Sequence, residues 1–333
     1  MKRNHTMLRW SLWVAVSIGL LVLAASACAQ PPKKIPRIGY LAAVSASADA
    51  PRLEAFRQGL RDLGYIEGQN IIIDYRHEAG GFEPLPGLAA ELVGLEPDVL
   101  VGVTTNAAQA AKQATTTIPV VFMGVTDPVA AGLVESLPHP GGNSTGVTNM
   151  AAILTGKRME FLKNTIPEVS RLAVLWDPQA PGSTPQWQES QLPARELGIE
   201  LYSMEVSSVD RYEAAFREAV EAHNDAVWVT LNPLANSNQQ LIADLAIQNH
   251  LPSICAREDY SQNGCLMAYG PGYANEGRDG ARYVDKILKG TRPEDIPVEQ
   301  PMKFELVINL RTAQALNRTV PQRVLLQADQ IIQ

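Results

Sequence analysis

Past Pro36 the chain alternates short, continuously apolar runs with longer stretches whose apolar residues recur every three or four positions. Runs of the first kind are Arg37–Leu41, Asn70–Tyr75, Asp98–Val103 and Pro119–Met123, and further on Arg171–Trp176, Ile199–Met204, Asp225–Thr230, Pro252–Cys255 and Cys265–Tyr269. Between them lie helical patterns over Arg52–Gly64, Leu85–Leu95 and Asn106–Thr115, then Gly156–Asn164, a stretch ending near Leu197-Gly198, Arg211–Ala222, Asn238–Gln248 and Ala274–Lys289. In the first of these, Leu53, Phe56, Leu60 and Leu63 share one face and Gly64 suits the C-terminal cap. Strands that are apolar throughout must be covered on both faces, and helices between them do the covering; this predicts parallel sheets in an α/β protein. The rhythm occurs twice over similar lengths, so two doubly wound lobes are expected, meeting near Gly141–Asn149. A chain of 333 residues is long for one core, which agrees with two lobes.

The N-terminus has the pattern of a secretory signal over residues 1–29. Lys2, Arg3 and Arg9 precede an apolar run from Ser11 to Ala25, which ends in the small residues Ser26-Ala27-Cys28-Ala29. The run is short for a bilayer span, which takes roughly 20 apolar residues. Ala24-Ala25-Ser26-Ala27-Cys28 resembles a bacterial lipoprotein box that would lipidate Cys28, although Ala25 stands where a large aliphatic residue is usual. Ordinary cleavage after Ala27 or Ala29 fits the same residues. Either way the chain is expected outside the cytoplasm, in the periplasm or on the outer face of the membrane.

The formal charge is −7, and the basic N-terminus makes the remainder more acidic still. With no cluster of Lys and Arg, nucleic acid is not an expected partner. Cys255 and Cys265, ten residues apart, are either a disulfide pair, as an oxidising compartment permits, or two buried thiols. Neither they nor His77, His139, His223 and His250 have metal-site spacing, so no metal is expected. A G-x-G-x-x-G turn and a P-loop are missing, and no cofactor is expected. Gly142-Asn143-Ser144-Thr145-Gly146 spells the nucleophile-elbow pattern, but that motif needs a strand before it, and Pro138 and Pro140 stand there instead. A secreted hydrolase using Ser144 is therefore the minor reading, and the chain is expected not to be an enzyme.

In open parallel sheets, ligands sit beyond the carboxyl ends of the strands. Those loops carry Ser45 and Ser47 after the first strand, Thr104, Thr105 and Asn106 after the third, and Thr126 and Asp127 after the fourth. In the second half they carry Asp177, Asn232, Glu258 and Tyr269. Hydroxyls at helix N-termini suit an anionic group such as a carboxylate. Asp177 and Glu258 can receive an amino group, and Tyr269 offers a ring and a hydroxyl. Each Thr or Asn is also a credible helix cap.

Longer stretches carry a resemblance. They are Ala55-Phe56-Arg57-Gln58-Gly59-Leu60 with Leu63-Gly64-Tyr65, Glu67-Gly68-Gln69-Asn70, Pro140-Gly141-Gly142-Asn143, Tyr269-Gly270-Pro271, Tyr283 to Gly290, and Phe304-Glu305-Leu306-Val307-Ile308-Asn309. In these the chain resembles the ABC-transporter substrate-binding proteins, in the branch that includes tryptophan- and tyrosine-binding members. It departs from them at Cys265, where glycine is usual, and at Asn317-Arg318, where Gly-Leu is common. The resemblance implies a type I periplasmic binding-protein fold, with lobes joined by hinge strands. One lobe would take residues 35–147 plus about 271–296, the other 148–270 plus about 297–333. It also implies a small organic ligand held between closing lobes, an aromatic amino acid or related carboxylate, and a permease and ATPase as partners. A sensor passing its state to a signalling partner is the alternative from another class.

Overall fold

The computed structural model describes residues 34–78 and 82–333, with the backbone alone at 273 and 274. Cys28 and the signal-like segment lie outside the described residues.

Two sheets form. The first has five parallel strands in the order β2-β1-β3-β4-β5: β1 Arg37–Ala42, β2 Ile72–His77, β3 Val99–Val103, β4 Val120–Val125 and β5 Ser144–Thr148. Every residue of β3 and β4 is buried, as strands covered on both faces require. The second has seven strands in the order β12-β11-β10-β9-β8-β6-β7: β6 Arg171–Trp176, β7 Glu200–Glu205, β8 Ala226–Val229, β9 Ser253–Cys255, β10 Met267–Gly270, β11 Glu305–Asn309 and β12 Gln330–Ile332. One pairing departs from the all-parallel expectation, because β11 runs antiparallel to β10.

The chain passes between the sheets three times. It leaves the first after β5, returns after β10 into the Tyr273–Leu288 helix, and leaves again before β11. That helix belongs with the first sheet, where it packs on the Ala46–Asp62 helix and on β4 and β5. The approach is close: a Cβ on Gly277 would lie 2.4 Å from the Arg52 carbonyl, and one on Gly59 would lie 2.8 Å from the Ala281 methyl. Ala281, Tyr283, Val284, Ile287 and Ile296 thereby complete an apolar core with Ile38, Tyr40, Phe56 and Val101.

The edge of the first sheet is closed by the third passage. Glu299 N–H donates to the Gly146 carbonyl, Thr148 N–H donates to the Glu299 carbonyl, and the Thr145 hydroxyl donates to the Ile296 carbonyl. An open edge strand is a template for unwanted pairing, and this segment covers it. Ser144 is buried at the start of β5, where its hydroxyl bonds the Asn143 side chain; a strand follows it, not the helix that an elbow requires.

Arg158, on the Thr155–Thr165 helix, ties two of the passages together. Its Nη1 donates to the Ala151 carbonyl at 2.6 Å and its Nε to the Tyr269 carbonyl at 2.8 Å. The side chain is fully buried, and burial pushes its guanidinium down to about 9.

Candidate functional site

The carboxyl ends of β3 and β4 bring Thr104, Thr105, Asn106 and Thr126 together. A Cβ on Gly102 would fall 2.6 Å from the Ala108 Cα, so this glycine lets the Thr105–Ala114 helix press down on β3 and start at the sheet edge. Thr104 caps that helix with φ of 81°, a conformation that a β-branched residue avoids unless its surroundings impose it. Here its N–H donates to the Met123 carbonyl and its carbonyl accepts from Ala108 N–H. Its hydroxyl is buried with no hydrogen-bond partner among the described residues. Thr105 Oγ1 accepts from Thr126 N–H at 3.4 Å, and both threonines are buried, as is Asn106.

The second sheet's loops face this group. A Cβ on Gly182 would lie 2.9 Å from Thr105 Oγ1 and 3.0 Å from Thr126 Oγ1. Ser45 N–H donates to Ser237 Oγ at 3.1 Å, and the Ser45 hydroxyl, which caps the Ala46–Asp62 helix, lies 3.2 Å from that of Ser47. Glu258 is half-buried beside Gly272, where an added Cβ would lie 3.5 Å from its Oε1. The cleft is thus a contact between hydroxyl-lined loops, in a closed arrangement.

Four other candidates are engaged differently. Asp127 accepts from Val129 and Ala130 N–H in a turn, and Asn232 accepts from Ala235 N–H as the cap of the Pro233–Ser237 helix. Asp177 accepts from the Ser207 hydroxyl and Gln179 N–H within the second lobe. The Tyr269 ring packs against Phe161 and Phe304, with centroids 4.9 and 6.2 Å away.

Cys255 and Cys265 are joined by a disulfide with Cα atoms 6.6 Å apart. It closes the loop that carries Arg257 and Glu258 to the cleft, and Arg257 is fixed there by Asp259 at 2.9 Å. A loop this short contributes about 2–3 kcal/mol, so reduction is expected to lower the melting temperature by about 5 °C. Calorimetry with and without dithiothreitol checks this; an unchanged midpoint, with loss of the bond verified by thiol labelling, contradicts it.

Sequence reasoning missed a buried ionic group beneath the cleft. Arg52 bonds Asp49 Oδ1 at 3.1 Å and Glu276 Oε2 at 3.0 Å, and all three side chains are at most 2% exposed. Asp49 Oδ2 also meets the Tyr40 hydroxyl at 2.8 Å and His77 Nε2 at 3.2 Å. Burial works against the charged Asp49, yet His77, Arg52 and Tyr40 outweigh it and hold its carboxyl below the usual range. The one local signal was the spacing of Asp49 and Arg52, one turn apart on a helix. Among the described residues there is no group of three or more His, Cys, Asp or Glu placed to hold a metal ion.

Comparison with known proteins agrees with this architecture. The family profile described as ABC transporter substrate binding protein matches residues 37–332. A tyrosine-binding protein of Clostridioides difficile (strain R20291) is 29% identical over 289 residues, 86% of this chain and 82% of that protein. The crystal structure of a conserved domain protein from Vibrio cholerae superposes with a TM-score of 0.86 at 30% identity, covering 90% of this chain and all of that one. An ABC domain from Streptococcus pneumoniae in complex with L-Trp gives 0.84 at 27% identity, over 89% of this chain and 99% of the other. With its family profile spanning both sheets and its fold shared with those structures, the chain belongs to the ABC transporter substrate-binding proteins.

Proposed function

We propose that this substrate-binding protein takes an amino acid, of the aromatic class, between its lobes and delivers it to an ABC permease and its ATPase. The observation that carries the reading is the hydroxyl and amide group at the start of the Thr105–Ala114 helix, set against Gly182 of the opposite lobe. A helix N-terminus with Thr104, Thr105, Asn106 and Thr126 around it suits a carboxylate. Glu258, from the other side, suits the amino group. The relatives named for tyrosine and crystallised with L-Trp support the aromatic class. Ser45 and Ser47 line the same mouth, while Asp127, Asp177 and Asn232 and the ring of Tyr269 shape the loops behind it. The lobes would be 35–147 with about 271–296, and 148–270 with about 297–333, turning about the three passages. The protein works outside the cytoplasm; no helix among the described residues is long and apolar enough to cross a membrane. A hydrolase using Ser144 is not supported, since that hydroxyl is buried in the first sheet.

A thermal-shift screen of amino acids, sugars and organic acids tests this. A ligand at 100 times its Kd stabilises by about 2.7 kcal/mol, which raises the melting temperature by about 5 °C. Tyrosine or tryptophan is expected to give that shift, and Asn106→Ala to remove most of it. A best hit among sugars would overturn the ligand class, and an unchanged shift in Asn106→Ala would move the site.

A further inference from the structure

A pocket of about 220 Å³ opens where the three passages between the sheets come together. Val147 lines it from β5, just before the first passage, Gly272 from the second and Glu299 and Met302 from the third, with Glu276 and Asp279 from the helix between. None of the cleft hydroxyls of Ser45, Thr104, Thr105 and Thr126 lines it, and it borders the cleft at Gly272, beside Glu258.

Its carboxylates differ in how they are used. Arg282 Nη2 donates to Asp279 and to both oxygens of Glu299. Glu276 is 98% buried, and the Nε and Nη2 of Arg52 both converge on its Oε2 at 3.0 Å. Glu276 Oε1 has no hydrogen-bond partner among the described residues. A buried carboxylate oxygen without a donor is costly, and a charged donor is what relieves it best. Burial also raises the half-buried Asp279 carboxyl above its usual value, against the pull of Arg282. Lys303 lines the rim, but its ammonium is engaged by Glu305. The acceptors are too few for a metal cage: no group placed to hold a metal ion occurs among the described residues.

We propose that this hinge pocket is a second binding site, for a small organic cation with N–H donors such as a primary ammonium group, which donates to Glu276 Oε1. Because two of the passages and the end of β5 that opens the first line it, an occupant touches the elements that must turn when the lobes move. Such a cation is therefore coupled to solute binding in the cleft, and the coupling is reciprocal.

The test is NMR titration of the full chain with methylammonium chloride, against matched sodium chloride and tetramethylammonium chloride. Saturable shifts are expected around Val147, Gly272 and Glu299 with methylammonium only. Losing one charge-assisted hydrogen bond weakens binding by about tenfold or more, and Glu276→Gln is expected to show this. Met302 is 92% exposed, so Met302→Lys can place its own ammonium at the pocket without disturbing the core, and is expected to abolish the shifts. No saturation with methylammonium overturns the proposal. So does equal binding of tetramethylammonium, full binding in both variants, or shifts confined to Thr104–Thr126, which would place the cation in the cleft. None of these outcomes depends on which solute the cleft binds.

Discussion

Gly182→Leu is expected to weaken solute binding by about 5- to 150-fold while leaving the fold of each lobe intact. A Cβ at this position would already sit within 3.0 Å of the Thr105 and Thr126 hydroxyls, atoms held by the opposite lobe's backbone. A leucine adds bulk beyond Cβ and can be accommodated only if the lobes stand apart. Overpacking a tight contact costs about 1–3 kcal/mol, and the whole of that cost falls on the closed state, which is the range quoted for affinity. The open state has no such contact, so stability without solute should move little. A ligand shifts the balance between open and closed only by its difference in affinity for the two, and the substitution subtracts from that difference. Calorimetric titration measures the affinity, and small-angle scattering with saturating solute reports whether the variant still compacts. Full affinity with normal compaction would show that the two hydroxyls are not a closing contact.

Arg52→Met is expected to destabilise the protein by about 3–5 kcal/mol, the range seen when one partner of a buried ionic group is removed. The methionine fills much of the arginine's volume, but Asp49 and Glu276 are left buried without their cation. The melting temperature should fall by about 5–10 °C. The loss should depend on pH in a definite sense. Asp49 has its folded pKa held below its ordinary 3.8, so the stability it contributes is present above that value and disappears as pH falls through the depressed one. In Arg52→Met the contribution of Arg52 to that depression is gone while the His77 hydrogen bond stays, so the gap between wild type and variant should be widest near neutrality and narrow below about pH 4. Denaturant titrations at several pH values give the gap; a constant gap would mean that packing, and not charge, is what Arg52 supplies.

The strands that anchor the sheets were legible because they are apolar throughout. Val99–Val103 and Val120–Val125 are apolar or glycine throughout and fully buried, as is Ala226–Val229. β5 escaped notice for the opposite reason. Ser-Thr-Gly-Val-Thr is polar by composition, yet it is fully buried, because its hydroxyls find carbonyls such as Ile296 across a long gap in sequence. The first helix begins at Ala46, six residues before the periodic pattern starts; exposed Pro51 costs it one backbone bond and no packing. Strand direction is not written in an apolar run, so the reversal of β11 could not be seen. At the site, the hydroxyl loops were readable from strand ends alone. The ionic group was not, since Asp49 and Arg52 look like a solvated helix face until the Tyr273–Leu288 helix, far along the chain, covers them.

That same helix sets a timetable for synthesis. The sheet over Arg37–Thr148 is translated long before the helix whose Tyr283, Val284 and Ile287 seal one of its faces. At ribosomal rates of about 5–20 residues per second, the wait is on the order of ten seconds. During that interval the early half is a torso without its cladding, unable to reach its final state however favourable its own strands are. A nascent chain of this kind stays pliable until its last fifth emerges.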